Sequence, residues 1–276
     1  MKNHKKHIGN AILRYLTFSF TFIFVFCFMS LISPSDALSD YVYWDNGPMI
    51  TEDGPNPGTD YYSQMVSSAF AYGYNHNNNQ GARVADDFTV AVSNIEVTNI
   101  IFYAYQTYAG PPSTITAVYL QIWDGRPGDP GSSVIWGDLT TNRMISTTFT
   151  NIYRIFNSTP NTDRPIMSQT VEVNTTFTPG TYWLDWTVEG TASASGPWAN
   201  PVQLVGQPTK PGANGRQYWS GSWGDIDDSG NLEIQDLPFL VMVSGTPVPT
   251  LTEWALIGFG GLLVIVGGWF IYRRII

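Results

Sequence analysis

Residues 178–189 read TPGTYWLDWTVE and carry the clearest strand signal in the chain. A Pro-Gly turn opens this stretch, and apolar and polar positions then alternate with a period of two, which is typical of a β-strand. The residues that this alternation directs toward a core are Tyr182, Leu184, Trp186 and Val188. The residues that it directs outward are Thr181, Trp183, Asp185 and Glu189.

Similar β-prone stretches follow one another through the middle of the chain, separated by turns rich in Gly and Pro. Strands are predicted near 84–90, 95–107, 115–124, 133–137, 144–156, 166–177, 181–189, 201–206, 215–223 and 237–244. Spacing of this kind, with no amphipathic helix between residues 40 and 246, favours an all-β fold. We therefore predict an antiparallel, jelly-roll-like β-sandwich ectodomain over residues 40–246.

Charge and cysteine usage exclude several function classes. Residues 38–247 hold seven basic and twenty acidic residues, a difference of −13, so a phosphate backbone would be repelled and nucleic acid is not an expected partner. The only cysteine, Cys27, lies in an N-terminal apolar run, and His76 is the only histidine of the middle region. Disulfides, thiolate nucleophiles and Cys/His zinc sites are thereby excluded from that region.

The first 39 residues have the features of a secretory signal peptide. A basic beginning is followed by an apolar run from about Tyr15 to Ile32, and small residues then allow cleavage after Ala37 or after Ser39. Because the apolar run is long, an uncleaved N-terminal anchor is the alternative.

A second apolar run covers residues 254–272, close to the length of a helix that crosses a bilayer. Arg273 and Arg274 follow it directly and mark the cytoplasmic side. The sequence therefore predicts one C-terminal transmembrane helix with the bulk of the chain exported.

The residues before this run resemble the IPTL-CTERM sorting signal, whose pattern is Ile-Pro-Thr-Leu-Ser-Glu-Trp-Gly, then a span, then arginines. The residues that carry the resemblance are Val248, Pro249, Thr250, Leu251, Thr252, Glu253, Trp254 and Ala255, with Arg273 and Arg274 after the span. Five of the eight motif positions match outright, and Val248, Thr252 and Ala255 are conservative departures. The alternative is an ordinary C-terminal anchor with a tryptophan at the membrane interface.

The resemblance implies a partner and a location. In that family an exosortase, a membrane-embedded cysteine transpeptidase, recognises the tail. The chain would first be held in the inner membrane by its C-terminal helix, and after cleavage in the segment 247–276 it would pass to the cell surface or the extracellular matrix.

The middle region resembles bacterial secreted β-sandwich modules. The phrases that carry this resemblance are VADDF at 84–88, LQIWDG at 120–125, PGTYWL at 179–184 and LPF at 237–239. It implies a fold and an exported location but no activity.

Residues 225–236 fit a twelve-residue calcium loop. The oxygen ligands in this register are Asp225, Asp227, Ser229, Asn231 through its carbonyl, and Asp236, with Gly230 at the sharp turn. The flanking residues resemble strands rather than EF-hand helices, so a solvated acidic hairpin loop is the alternative. Apart from this calcium, no cofactor is predicted.

The sequence offers only weak candidates for a catalytic site. Asp86, Asp87, Asp185 and Glu189 do not have the spacing of a glycosidase pair and are interpreted as solvated strand and edge charges. His76 lies in an Asn-rich loop, and no Gly-x-Ser-x-Gly elbow occurs. We therefore predict that the protein is not an enzyme.

Outward aromatic residues give a better indication of binding. Tyr119, Gln121 and Trp123 alternate along one predicted strand, and we expect them to form a platform that stacks a sugar ring, with Tyr103 and Tyr105 on a neighbouring strand. Cross-strand aromatic pairing, or cover by a loop, is the alternative. The sequence thus predicts a non-catalytic envelope or matrix component, with a module that binds surface glycans as the second hypothesis.

Overall fold

The computed structural model describes residues 40–64, 72–91, 93–156, 159–228, 230 and 232–245, together with positions 260, 267, 269 and 273. Residues 40–244 form one compact unit. The predicted signal peptide, the motif at 248–255, Arg274 and most of the predicted span lie outside the described residues. In the described part of the chain, no helix is long and apolar enough to span a membrane.

Nine strands of the compact unit form the larger of two sheets. They are β1 (Tyr41–Asp45), β2 (Glu52–Asp53), β3 (Tyr61–Gln64), β4 (Tyr74–Asn75), β6 (Ile95–Thr107), β9 (Met144–Ile155), β10 (Pro165–Phe177), β12 (Ser195–Ala199) and β15 (Leu240–Val243). Their order is β1-β15-β6-β10-β9-β3-β2, and β12 pairs with both β6 and β4. The strand β3 pairs with β9 in parallel, whereas the other ladders between described strands are antiparallel.

Six strands form the second sheet. They are β5 (Arg83–Val90), β7 (Ile115–Trp123), β8 (Val134–Asp138), β11 (Gly180–Gly190), β13 (Arg216–Trp219) and β14 (Ser222–Asp225). Their order is β14-β13-β5-β11-β7-β8, so β11 has a hydrogen-bonded neighbour on each side. The one described helical segment of the unit is a 3-10 turn at Asn78–Gln80. The prediction of an all-β fold with two sheets is confirmed.

The two sheets share one hydrophobic core. Trp186 of β11 stacks on Phe102 of β6 with the ring centroids 4.5 Å apart, and Phe239 packs against both rings. Leu184 and Val188, on the same face as Trp186, are fully buried, and Tyr182 packs against the core from a partly buried position. The predicted core face of this strand is therefore confirmed.

Two predicted strands are wrong. Residues 201–206 form no strand, because Val202 and Gln203 donate their backbone N–H groups to Asp236 and Pro48, which lie in connecting segments. The stretch 215–223 contains a turn, because Ser220 and Gly221 both have positive φ (52° and 89°). Two such residues make the two-residue turn that joins antiparallel strands, and the result is the hairpin of β13 and β14.

We expect Trp186→Ala to lower the free energy of unfolding by about 3–5 kcal/mol, because it removes the ring that stacks on Phe102 between the two sheets and leaves a cavity there. Trp219→Ala is the matched control, since Trp219 is 46% exposed and its loss should cost less than about 1 kcal/mol. Denaturant unfolding of both variants measures the difference. Equal losses would show that the Trp186–Phe102 stack is not a main contact between the sheets.

Candidate functional site

The outer face of the six-stranded sheet is organised around the carboxylate of Asp185. Asp185 lies at the middle of β11, opposite Gln121 of β7 on one side and Ala85 of β5 on the other. Its Oδ2 accepts hydrogen bonds from Gln121 Nε2 at 2.7 Å and Trp123 Nε1 at 3.1 Å. Its Oδ1 lies 3.1 Å from Arg83 Nε as an ion pair. These neighbours cover the carboxylate completely.

Burial raises the pKa of Asp185 to about 6, although the Arg83 guanidinium and the two hydrogen-bond donors favour the charged form. Asp185 does point outward, as the alternation predicted, but the interpretation as a solvated charge is wrong. Arginine, glutamine and tryptophan side chains reach over it from neighbouring strands. The sequence shows this alternation, but it does not show which long side chains will cover the carboxylate of Asp185.

Arginine side chains and aromatic rings form a layer over this face. The Arg83 guanidinium lies 3.9 Å from the centroid of the Tyr218 ring and 5.1 Å from that of Trp223. The Arg126 guanidinium lies 5.8 Å from the centroid of Trp183, and Trp183 is only 5% exposed. Contacts of this kind add attraction between the cation and the electron-rich ring face. Trp183 is thus an outward residue that is nevertheless buried.

The structure brings the three predicted platform residues together. Tyr119, Gln121 and Trp123 lie half-buried on the outer face of β7. Tyr119 donates its hydroxyl to Glu189 Oε1 at 3.1 Å, while Gln121 and Trp123 donate to Asp185. Their side-chain donors are therefore held by carboxylates of the neighbouring strand β11.

The expectation that Tyr103 and Tyr105 would extend this platform is wrong. Both residues belong to β6, which lies in the other sheet. Tyr105 is buried, and burial raises its pKa above the ordinary range. Tyr103 packs from a partly buried position against the same small cluster as Tyr105, which includes Ile152 and Ile166.

A second buried carboxylate, Asp86 of β5, faces the interior between the sheets. It accepts hydrogen bonds from Asn46 Nδ2 at 2.9 Å, from the backbone N–H of Leu237 at 2.7 Å and from that of Asp87 at 2.8 Å. Burial, and next the neighbouring carboxylate of Asp236, raise the pKa of Asp86 well above its ordinary value. The interpretation of Asp86 as a solvated charge is wrong as well.

The Asp86 cluster continues through Lys210. The Lys210 ammonium lies 2.8 Å from Asp236 Oδ2 and donates to Asn46 Oδ1 at 2.9 Å. Asn214 donates its backbone N–H to Asp236 and its side-chain amide to Asp87. This cluster holds three connecting segments against β5, so its role in the geometry is structural.

The predicted calcium loop is described only in part, because Ser229 and Asn231 lie outside the described residues. Asp225 pairs with Arg126 and lies 3.7 Å from Arg216 Nε, while Asp236 pairs with Lys210. Asp227 forms an isolated antiparallel bridge with Ile234. Among the residues that the structure describes, no group of three or more His, Cys, Asp or Glu side chains is arranged to hold a metal ion. Calcium binding stays a prediction.

His76 is fully buried, and burial lowers its pKa to about 3, so the imidazole is neutral at physiological pH. Its two ring nitrogens have no hydrogen-bond partner within the described part of the chain. Its carbonyl accepts hydrogen bonds from the Val188 N–H and the Thr187 hydroxyl, which anchor the Asn-rich loop to β11.

Sequence reasoning missed a cavity of about 520 Å³ at which β4, β12 and β13 meet. Its lining includes Tyr72, Arg164, Trp198 and Trp219. The available signal was the presence of two tryptophans, Trp198 and Trp219, in short turn-bounded segments. Their convergence depends on long-range pairing of β12 with β4, which local patterns do not specify.

Comparison with known proteins found no matching family model, no similar curated protein and no similar solved structure. The class that the structure supports is an all-β protein of two facing sheets. Inferences about its function therefore rest on the chemistry of its own residues.

Asp185→Asn should change how stability depends on pH. The pKa of Asp185 is about 6 in the folded protein against 3.8 for an exposed aspartate, so its contribution to stability is present below pH 3.8 and is lost as the pH rises through about 6. The full difference is on the order of 3 kcal/mol. We expect the wild type to lose stability relative to Asp185→Asn across this window, measured by denaturant unfolding at several pH values.

A carboxyl-carbon NMR titration of the wild type is the independent check on this assignment. Parallel pH profiles of the two proteins, together with an Asp185 midpoint near 3.8, would contradict the effect of burial.

Proposed function

We propose that the protein is a non-catalytic, exported component of the envelope or extracellular matrix, with a jelly-roll-like sandwich as its ectodomain. An N-terminal signal peptide would direct export, and a C-terminal transmembrane helix would hold the chain in the inner membrane. An exosortase would then recognise the motif at 248–255 and release the ectodomain to the surface.

The position of the motif supports this proposal. The compact unit ends at Ser244, the last strand, β15, ends at Val243, and the motif begins at Val248. A cut at or after the motif would therefore remove no strand of either sheet. A processing site inside β15 would instead expose the edges of β1 and β6, because β15 lies between them.

The arrangement of the carboxylates supports a non-catalytic role. Asp86 and Asp185 are the two described carboxylates whose pKa values are raised furthest toward the range of a general acid. Each is covered by hydrogen-bond donors of the same chain, and neither lines the cavity at β4, β12 and β13. Both therefore serve as buried acceptors that hold segments together.

The second candidate function is binding of surface glycans at the platform of Tyr119, Gln121 and Trp123. The observation that favours it is that all three lie partly exposed on one face, with their donors fixed by Asp185 and Glu189. A ring held in this way keeps its orientation, so stacking a sugar on it costs little side-chain entropy.

Intact-mass measurement of protein extracted from the cell surface tests the processing. We expect a mature chain that lacks both the first 37 or 39 residues and the segment after about Thr250. Pro249→Ala should block removal of the tail, because it changes the motif and leaves the span intact. Pro160→Ala, an exposed proline far along the chain from the motif, is the control and should be processed normally.

A surface protein that still ends at Ile276 would contradict recognition by an exosortase and leave an ordinary membrane anchor. Normal trimming of Pro249→Ala would contradict recognition of the motif itself.

A glycan array with the full chain in detergent tests the platform. We expect Trp123→Ala to weaken the binding of neutral glycans by roughly tenfold, because it removes the ring on which the sugar stacks. Tyr41→Ala removes an exposed ring on β1 of the other sheet, away from β7, and should leave that binding unchanged. Neutral-glycan binding that survives Trp123→Ala would exclude the platform as the site.

A further inference from the structure

We propose that the cavity at β4, β12 and β13 binds a uronic-acid residue of an acidic polysaccharide. This cavity is separate from the β7 platform, and its assignment does not depend on the processing of the tail. Its volume of about 520 Å³ lies within the range of small-molecule sites, and its lining combines aromatic rings, amides, hydroxyls and one cation.

Strand pairing forms part of the wall, and the connecting segments that hold Tyr72, Gly73 and Arg164 complete it. Trp198 of β12 lies opposite Asn75 of β4 and opposite Tyr105 of β6. Gln217 of β13 donates its side-chain amide to the carbonyl of Asn75 at 2.7 Å, which joins the second sheet to this wall. At Gly73 a Cβ atom would lie 2.8 Å from both the Ala199 carbonyl oxygen and the Tyr105 hydroxyl, so only glycine allows this close approach.

The cation of the cavity is Arg164, and its pairing is unusual in this protein. In the described part of the chain, ion pairs with carboxylates are seen for five of the seven basic side chains between residues 40 and 245. They are Arg83, Arg126, Arg143, Lys210 and Arg216. The sixth, Arg154, is buried and donates to the carbonyls of Tyr72 and Ser63.

Arg164 has no ion pair with any carboxylate in the described part of the chain. Its guanidinium lies 4.1 Å from the centroid of the Tyr72 ring, and that ring also packs against Phe156 at 5.1 Å. This contact holds the guanidinium against the ring and leaves its N–H groups without a carboxylate in the described part of the chain. A planar fork of donors held in this way matches a carboxylate through two parallel hydrogen bonds.

Two tryptophans provide surfaces for a sugar ring. Trp198 is half-buried, and Trp219 is 46% exposed at the last residue of β13, immediately before the Ser220-Gly221 turn. An indole face offers apolar area to the C–H face of a pyranose, and the neighbouring amides and hydroxyls are suited to its hydroxyl groups. The cavity therefore has separate groups for the ring, the hydroxyls and a single negative charge.

The single cation selects among anionic ligands. A nucleotide or nucleic acid carries more charge than one guanidinium balances, and the excess of thirteen acidic over basic residues in 38–247 opposes it. A uronic acid carries one carboxylate on a ring that stacks. A peptide carboxylate lacks the sugar ring that Trp198 and Trp219 suit, so a peptide is treated as a competing outcome of the test.

Calorimetric titration of the full chain in non-ionic detergent tests this site with two probes. The first is a hexamer of galacturonic acid, and the second is the same hexamer with every carboxylate methyl-esterified. We expect the acidic hexamer to bind at least tenfold more tightly than the ester, since only the acid forms the charge-assisted pair. Raising the salt from about 50 mM to about 500 mM should weaken binding of the acid.

Arg164→Gln should weaken binding of the acidic hexamer by roughly tenfold or more and bring it close to that of the ester. Arg143→Gln is the matched control, because Arg143 is also half-buried and also lies over an aromatic ring, that of Trp136 at 4.5 Å. It removes the same charge far from the cavity and should change the affinity less than about twofold. Trp219→Ala should weaken both hexamers.

Equal affinity for acid and ester, with no effect of Arg164→Gln, would overturn this assignment, as would no binding of the acid. Tighter binding of a short peptide through its terminal carboxylate would overturn it in favour of a peptide site. If uronate binding fails but the mature chain is correctly trimmed, the proposed surface sorting stands. If uronate binds but the chain is not trimmed, the uronate site stands.

Discussion

The carboxylate of Asp86 requires hydrogen-bond donors, because it lies inside the protein with only 1% of its surface exposed. A buried acceptor without a partner costs on the order of 1–3 kcal/mol, and a buried charge costs more. The two donors that come from outside β5 are Asn46, just after β1, and Leu237, just before β15. One side chain of the second sheet thereby positions the two neighbouring strands at the edge of the first sheet. Residues 40–244 contain no cysteine, so contacts of this kind hold the segments together without a disulfide.

The buried carboxylate of Asp185 also requires hydrogen-bond donors, and it lies on the opposite face of the same six-stranded sheet. Its donors come from β7 and its ion-pair partner from β5, which are the two neighbours of β11. Because Arg83 also lies over Tyr218 of β13, the cover extends across four adjacent strands of the sheet. The outer face is therefore a second packed layer built from polar and aromatic side chains. This explains how a strand that looks half solvated in its sequence has Trp183 and Asp185 almost fully buried.

The local sequence pattern was sufficient to predict the long strands. It was insufficient to predict the short strands and the polar contacts that close the sandwich. The strand β11 and its core residues Leu184, Trp186 and Val188 follow from alternation after a Pro-Gly turn, because each side chain is directed by its immediate neighbours. The strands β1, β3 and β12 are four or five residues long and depend on partners far away in sequence, such as β15 for β1 and β9 for β3. The burial of Asp86 and the cavity around Arg164 depend on those same long-range pairings. Sequence periodicity therefore predicts which residues face the core but not which polar groups the closed sandwich will cover.

The scarcity of cations makes their placement informative. Arg83, Arg126, Arg143 and Arg164 each lie over an aromatic ring, so contact with a ring is a common environment for a guanidinium in the described part of the chain. The first three also pair with a carboxylate of the chain, in a region, residues 38–247, that holds twenty acidic and seven basic residues. One nearby Asp or Glu would be enough to pair with Arg164 as well. Arg164 instead lines a cavity and has no ion pair with a carboxylate in the described part of the chain. An oriented cation beside two tryptophans, in a chain with many available anions, is better explained by an external anion than by structure alone.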